Sequence, residues 1–210
     1  MFALQLAKDY AKELKLEGVV AGAPPSQFFA LYNYLKGSPF RHYLLMAAGG
    51  LHAAYGEDAP LDAVLTPEGV KLTAVLEQGC SGYVADQVAG VDIDSIVKAD
   101  PFTVPSWKKV LTENDPGTFA KASPVPLLII QGGSDEQIPV VSTELLAKHL
   151  CDVGQDLERW IYPGQSHAGV IGPSSGDMIH WISDRFAGMS NPDPYKPVGQ
   201  PDVQTTTCPS

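Results

Sequence analysis

An aspartate and a histidine each follow a predicted strand. Asp135 comes after two glycines at the end of the apolar run 124–133, and His167 lies in a glycine-framed loop after the next strand, 157–163. Taken alone, Asp135 would be a turn-capping residue and His167 a surface residue. The order strand–Asp–helix–strand–His–helix would instead bring both side chains to the carboxyl edge of one parallel sheet, where such sheets bind ligands. A carboxylate that orients an imidazole makes a general base, which implies a nucleophile beside it.

The elements that must position this pair alternate between strands and helices. Apolar runs predict strands at 16–23 and 124–133, and residues 157–163 are expected to form a third strand. Helical periodicity predicts helices at 142–153 and 174–188. In the last helix, the residues expected to face inward are Met178, Ile179, Ile182 and Phe186. Strands that alternate with helices favour parallel pairing, so the expected fold class is α/β.

The first sixteen residues predict an amphipathic helix rather than a signal peptide, because charged residues interrupt the apolar ones at once. The residues on its apolar face are Ala3, Leu6, Ala7, Tyr10, Ala11 and Leu14. No Ser, Thr, Asp or Asn precedes the helix to cap it. Two interpretations remain open: the helix frays at its terminus, or the element begins upstream of Met1.

A long segment with a helical rather than a strand-like sequence pattern separates the first two strands. Helical periodicity broken by Gly and Pro fills residues 26–123, far more than a βαβ crossover needs. We therefore expect a core made of 1–25 and 124–190, a helical insertion over 26–123, and a proline-rich tail over 191–210. Aromatic and aliphatic residues of the insertion would line an acyl-binding tunnel or form its core: Phe28, Phe29, Tyr32, Tyr34, Tyr43, Leu44, Leu45 and Met46.

Composition narrows the classes of partner and cofactor. The 210 residues carry 14 Lys and Arg against 24 Asp and Glu, a net charge of −10, which disfavours nucleic acid as a partner. No apolar stretch approaches the ~20 residues of a membrane span. Nucleotide-binding glycine motifs and metal-ligand spacings are absent from the sequence, so no cofactor and no metal are expected. The three cysteines form no CxxC pair; Cys151 is a possible partner of Cys208, and the pairing with Cys80 stays open.

Three segments resemble the secretory lipase family of α/β-hydrolases: LKLEGVVAGAPPSQF, VPLLIIQGGSDEQIPV and ERWIYPGQSHAGV. The resemblance covers essentially all of residues 1–190. It implies the C-terminal part of an α/β-hydrolase sheet, with about three parallel strands and a large inserted helical cap. It further implies Asp135 as the orienting acid, His167 as the general base, and acyl esters or fatty acids as ligands. Relatives in this family are exported, whereas the start of this chain has no export signal pattern, so the compartment stays open.

The sequence departs from this family at the nucleophile. In the family a G-x-S-x-G turn precedes the helix that opens this chain, yet no G-x-S-x-G precedes that helix in this sequence. We therefore expect the chain to start just beyond that turn. Ser26, at the carboxyl end of the first strand, is the candidate substitute. Ser81, Ser134 and Ser166 are further candidates, and the ordinary interpretation of all four is a surface or turn-capping role.

Two functions follow from these observations. The first is a carboxylic-ester hydrolase with weak activity, which uses a substitute serine or a directly activated water. The alternative is a non-catalytic fragment, or half of a split lipase, that binds acyl chains through its cap. With only about three strands, the sheet would present an open edge at 18–23, so a homo-oligomer formed through that edge is also expected.

Overall fold

The computed structural model describes residues 1–189, 197 and 202–208. The chain folds into two compact units. The core unit comprises Met1–Gln27 and Pro116–Ser210, and the helical unit comprises Phe28–Asp115. Residues 26–27 and 116–123, which were expected to belong to the insertion over 26–123, belong to the core unit in the structure. In chain order the helices and strands are α1 (Phe2–Tyr10), β1 (Val19–Gly22), α2 (Phe28–Lys36), α3 (His42–Tyr55), α4 (Leu61–Val64), α5 (Pro67–Leu72), α6 (Ser81–Val88), α7 (Ile93–Ile96), α8 (Pro105–Asn114), β2 (Leu127–Gly132), α9 (Val140–Asp152), β3 (Leu157–Tyr162), α10 (Ile171–Phe186) and β4 (Gln204–Thr207), with short 3-10 helices at Gly56–Asp58, Thr73–Glu77 and Pro116–Thr118.

The core unit is built on a four-stranded sheet with the order β1-β2-β3-β4. The first three strands are parallel, with Val19 opposite Leu127 and Leu127 opposite Leu157. The predicted α/β fold with three parallel strands is therefore confirmed. The fourth strand was not predicted: β4 pairs antiparallel to β3 within the proline-rich tail. Its three threonines are β-branched and suit an edge strand. Apart from residues 197 and 202–208, that tail lies outside the described residues.

Helices cover both faces of β2 and β3, and every residue of these two strands is buried. Side chains alternate between the faces because successive residues of a strand point in opposite directions. Leu127, Ile129 and Leu157 pack against Leu146 and Leu150 of α9. On the opposite face, the residues that pack together are Leu128, Ile130, Trp160, Tyr162, Val170 and Trp181. This double coverage explains why β2 begins as a continuous apolar run, whereas β3 also carries Glu158 and Arg159 among its buried residues.

The predicted inward face of α10 is partly wrong. Ile179 and Phe186 are exposed, while Met178 and Ile182 are partly buried against the sheet. The buried positions of the helix are Ser174, Asp177, Trp181 and Arg185. Asp177 takes such a position because the sheet offers it a hydrogen bond from the Tyr162 hydroxyl, at 3.1 Å, and the Arg185 guanidinium lies over the Trp181 ring, 4.9 Å from its centroid. Hydrophobic periodicity alone does not reveal such pairs.

A carboxylate on β3 connects the two tryptophans of this buried layer. The indole N–H groups of Trp160 and Trp181 each donate to Glu158, at 3.1 Å to its two separate oxygens. Glu158 is 2% exposed, and burial raises its pKa above the ordinary value while the two indole donors oppose that rise. The two hydrogen bonds satisfy a charged group that would otherwise be costly inside the core.

A disulfide joins the C-terminal strand to the rest of the core unit. Cys151, near the end of α9, is bonded to Cys208, directly after β4, with their Cα atoms 5.2 Å apart. The sequence had offered this pairing as one possibility. Cys80 is free and exposed.

The opening helix is shorter than its pattern predicts. It ends at Tyr10, and no side chain caps its N-terminus. Leu4 is buried against the core, whereas Leu6, Tyr10 and Leu14 from the predicted apolar face are exposed. An apolar face therefore remains uncovered by the described part of the chain.

The helical unit has a hydrophobic core of its own, which includes Leu45, Val64, Val88, Trp107 and Val110. The indole of Trp107 donates to the Pro60 carbonyl at 2.8 Å, so its polar atom is satisfied inside that core. None of the described helices combines the length and hydropathy that a membrane crossing requires.

Candidate active site

Two loops at the carboxyl ends of β2 and β3 are tied together by backbone hydrogen bonds. The N–H of Gly133 donates to the Tyr162 carbonyl at 2.7 Å, and the N–H of Ser134 donates to the Gln165 carbonyl at 2.9 Å. A Cβ atom on Gly132 would collide with the backbone oxygens of Gln165 and Ser166. Glycine is therefore required at this position for the loops to approach each other.

This close approach brings Asp135 and His167 into contact. The Nδ1 atom of His167 lies 2.9 Å from Oδ2 of Asp135. The Asp135 side chain is 0% exposed, whereas the His167 side chain is 33% exposed. A carboxylate only accepts hydrogen bonds, so Nδ1 carries the proton and the lone pair of neutral His167 lies on Nε2. Among the described residues, Nε2 has no hydrogen-bond partner, and this nitrogen is the one available to a substrate.

Backbone donors hold the other oxygen of Asp135. Oδ1 accepts hydrogen bonds from the N–H groups of Gln137 and Ile138, each at 2.9 Å. The carboxylate is thus fixed within its own turn while Oδ2 faces the imidazole. An aspartate that caps its own turn and also binds a histidine combines the two roles that the sequence analysis had treated as alternatives.

Glu136 contacts the same histidine through the backbone, a role that the sequence analysis missed. Its Oε2 accepts a hydrogen bond from the N–H of His167 at 3.1 Å. This hydrogen bond is the main cause that holds the pKa of Glu136 below its ordinary value. The sequence feature that could have predicted this role is the acidic pair Asp135-Glu136 directly after the glycine turn. Neighbouring side chains on a loop can contact one histidine from two directions.

The candidate serines do not meet His167. Ser26 is 0% exposed, and its hydroxyl donates to the Ser142 carbonyl at 3.2 Å. Ser166 accepts from the Gly169 N–H at 3.0 Å, and Ser134 is exposed. Ser81 belongs to the helical unit, where its hydroxyl lies 3.2 Å from His42 Nε2. Within the part of the chain that the structure describes, none of these hydroxyls forms a hydrogen bond with His167.

The helical unit contains a small cavity and a larger groove. The cavity, of about 50 Å³, includes Tyr32, Leu44 and Leu45 in its wall; it is far smaller than the ~300 Å³ of small ligand pockets. The groove, of about 420 Å³, has Met46 and Leu76 among its lining residues. The described residues contain no group of three His, Cys, Asp or Glu side chains placed to hold a metal ion.

An Asp after one parallel strand and a His after the next follow the chain order of the last two triad residues in α/β-hydrolases. In fold the chain is similar to the closed state of lipase A from Candida antarctica, with a TM-score of 0.78 and 20% sequence identity. That match covers 95% of this chain and 48% of the other. The sequence matches the secretory lipase family over residues 1–193, and the chain belongs to that family.

Two relatives show how much of the longer proteins this chain represents. It is 27% identical over 195 residues to the secreted triacylglycerol lipase LIP4 of Malassezia globosa, covering 89% of this chain and 43% of that protein. It is also 27% identical over 198 residues to lipase A of Arthroderma benhamiae, covering 90% of this chain and 41% of that protein. The chain therefore spans less than half the length of the relatives it matches.

Proposed function

We propose that this chain supplies the acid–base pair of a carboxylic-ester hydrolase, with Asp135 as the orienting acid and His167 as the general base. The observation that carries the proposal is the 2.9 Å contact between His167 Nδ1 and Asp135 Oδ2. The buried carboxylate lies behind a partly exposed imidazole. This arrangement keeps one ring nitrogen protonated and presents the other to a reacting group, as ester hydrolysis requires.

In the proposed reaction, His167 moves one proton twice. Its Nε2 removes the proton from the attacking hydroxyl as that oxygen bonds to the ester carbonyl carbon. The imidazolium that forms is stabilised by Asp135, which stays ionised. It then returns the proton to the alkoxide oxygen of the leaving alcohol as the carbon–oxygen bond breaks. If the attacking group is a serine, water releases the acyl group in a second round with the same base.

The nucleophile determines the expected rate. The G-x-S-x-G pattern of this sequence, at Gly172–Gly176, lies inside α10 rather than on a turn after a strand. Its Ser174 is buried and donates to the Ile171 carbonyl of the same helix. The candidate substitute Ser26 has its hydroxyl bonded to Ser142 in a fully buried position. We propose that the chain acts weakly, through Ser26 or through a water activated by His167. Short esters with good leaving groups are the expected substrates, because they demand the least from the nucleophile.

The proposed ligand class is acyl esters and fatty acids, with no cofactor. Relatives of the family are named triacylglycerol lipases, which supports this class. The net charge of −10 argues against nucleic acid as a partner.

A second candidate function is acyl-chain binding without catalysis, by a fragment or by one half of a split lipase. The groove of about 420 Å³ in the helical unit favours it, since its lining residues include the apolar side chains of Met46, Leu61 and Leu76. Such a groove is large enough for a small apolar ligand.

Labelling with a fluorophosphonate separates the two functions. The probe attaches to an activated serine oxygen with loss of fluoride, so catalysis by Ser26 predicts a label that disappears in both Ser26→Ala and His167→Ala. His180→Ala is the matched control, because His180 also lies near a carboxylate, 3.8 Å from Asp184, but is exposed on α10. Absence of label with His167-dependent hydrolysis of p-nitrophenyl butyrate would assign the attack to water. Absence of both, with fatty acid bound, would overturn the catalytic proposal.

We also propose that the chain pairs with a second copy through β1. Among the described residues, β1 has a neighbouring strand on one side only, and an open strand edge favours pairing with another chain. Light scattering on a sizing column is expected to give a mass above that of one chain. The Ala23 N–H donates to β2, so by alternation the Gly22 N–H points away from β2. Gly22→Pro is expected to restore the monomer mass, and a monomeric wild-type protein would contradict the proposal.

A further inference from the structure

A buried polar chain of three residues leads to the Asp135 carboxylate from within the core unit. Gln131 and Thr143 are 0% exposed, and Arg159 is 7% exposed. They come from β2, α9 and β3, on the sheet face that is otherwise filled by Leu127, Ile129 and Leu157. Polar groups in such a place are costly unless each is satisfied, so their arrangement needs an explanation.

Gln131 holds the atom of Asp135 that faces the histidine. Its Nε2 donates to the Ile138 carbonyl at 2.7 Å and lies 3.4 Å from Asp135 Oδ2. The opposite amide orientation would place Oε1 against two acceptors, the carbonyl and the carboxylate. The hydrogen-bond network therefore assigns a single orientation to this amide.

Thr143 and Arg159 fix that orientation from the other end. Arg159 Nε, which only donates, lies 3.1 Å from the Thr143 hydroxyl oxygen, and the Arg159 Nη2 group donates to the Val140 carbonyl at 3.1 Å. The hydroxyl has one hydrogen, and its nearer acceptor is Gln131 Oε1. Each hydrogen bond thus points from Arg159 towards Asp135, an order in which the bonds polarise and strengthen one another.

We propose that Gln131 is a positioning residue for Asp135, and that Thr143 and Arg159 lock its amide. The inference rests on the proposed role of the Asp135–His167 pair and extends it into the core. The chain of donors holds Oδ2 at one place in front of His167 Nδ1, so that the imidazole stays in the tautomer with a free Nε2. None of the three residues touches the substrate; they act through Asp135.

The test replaces Thr143 by Val, which keeps the shape and removes the hydroxyl, and by Ser, which keeps the hydroxyl. Nitrogen-15 NMR of the His167 ring reports its tautomer. Wild type and Thr143→Ser are expected to show only the Nδ1-protonated form of neutral imidazole, whereas Thr143→Val populates both forms. In Thr143→Val, the kcat for hydrolysis of p-nitrophenyl butyrate is expected to fall about tenfold to hundredfold with KM unchanged, as for small errors in catalytic geometry. Thr143→Ala removes the same hydroxyl and takes the place of the valine variant if that one does not fold.

Tyr162→Phe is the matched control, because it removes a buried hydroxyl hydrogen bond on the opposite face of the same sheet. It is expected to lower stability without changing the His167 tautomer. A Thr143→Val protein with the wild-type tautomer and wild-type kcat would overturn the positioning role. The NMR result stands even if the chain hydrolyses no ester, so failure of the proposed function and failure of this inference can be told apart.

Discussion

Asp135→Asn is expected to lower ester hydrolysis by about 10⁴-fold, the loss seen when the orienting carboxylate of a Ser-His-Asp triad becomes an amide. For the weak activity proposed here, the measured rate would fall to that of buffer. The amide presents an N–H₂ group or a neutral oxygen to His167 Nδ1, so the imidazole loses both its fixed tautomer and the charge that stabilises its protonated form. The backbone N–H groups of Gln137 and Ile138 can still bind the side-chain oxygen, so the turn itself is expected to survive.

The matched control is Asp184→Asn, which alters the 3.8 Å contact between Asp184 and the exposed His180 on α10. Its hydrolysis of p-nitrophenyl butyrate is expected to equal that of the wild type. Circular dichroism checks that both variants are folded. Undiminished hydrolysis by Asp135→Asn would show that the Asp135–His167 contact is structural and would remove the basis of the proposed function.

Cys208→Ser is expected to cost about 4 kcal/mol of unfolding free energy. The disulfide joins residues 57 positions apart, and the chain-entropy estimate for a closed loop of this length is about 4 kcal/mol. Loss of the link also releases β4, which is short and pairs only with β3 in the described sheet. Chemical denaturation under non-reducing conditions measures the difference.

Cys80→Ser controls for the change of residue type, because Cys80 is free and exposed. Its midpoint of unfolding is expected to match the wild type. Equal stability of the Cys208→Ser and Cys80→Ser proteins would mean that the disulfide constrains the chain less than its loop length suggests. Reduction of the wild type with dithiothreitol is expected to reproduce the loss.

The sequence points to Asp135 and His167 but does not reveal the buried residues that hold Asp135 in place. Asp135 and His167 follow apolar strands and glycine turns, and both signals are local. Gln131 lies inside the same apolar run, and its role depends on Thr143 and Arg159 from other elements. Nothing in the spacing of these residues marks them as partners, because only the folded sheet places them on one face.

In the fold, too, the elements that local sequence patterns determine were predicted, and those that depend on distant contacts were not. The strand β2 was predicted because burial on both faces leaves a continuous apolar run. The shorter runs of β1 and β3 were recognisable from their apolar residues and from the turn residues that end them. The fourth strand was missed because prolines surround it in the sequence, while its order comes from pairing with β3 and from a distant cysteine. In α10, Ile179 and Phe186 were expected inside by hydrophobicity, yet Asp177 and Arg185 occupy the buried face, where Asp177 accepts a hydrogen bond from Tyr162 and Arg185 stacks over Trp181.

The indole pair on Glu158 makes the core unit optically distinct. Of the three tryptophans in the chain, Trp160 and Trp181 share that buried carboxylate, and Trp107 lies in the helical unit. In a Trp107→Phe protein, all tryptophan fluorescence therefore originates next to one ionisable group in the centre of the sheet. Emission then reports the unfolding of the sheet without a tryptophan signal from the helical unit, so the core unit can be followed on its own within the whole chain.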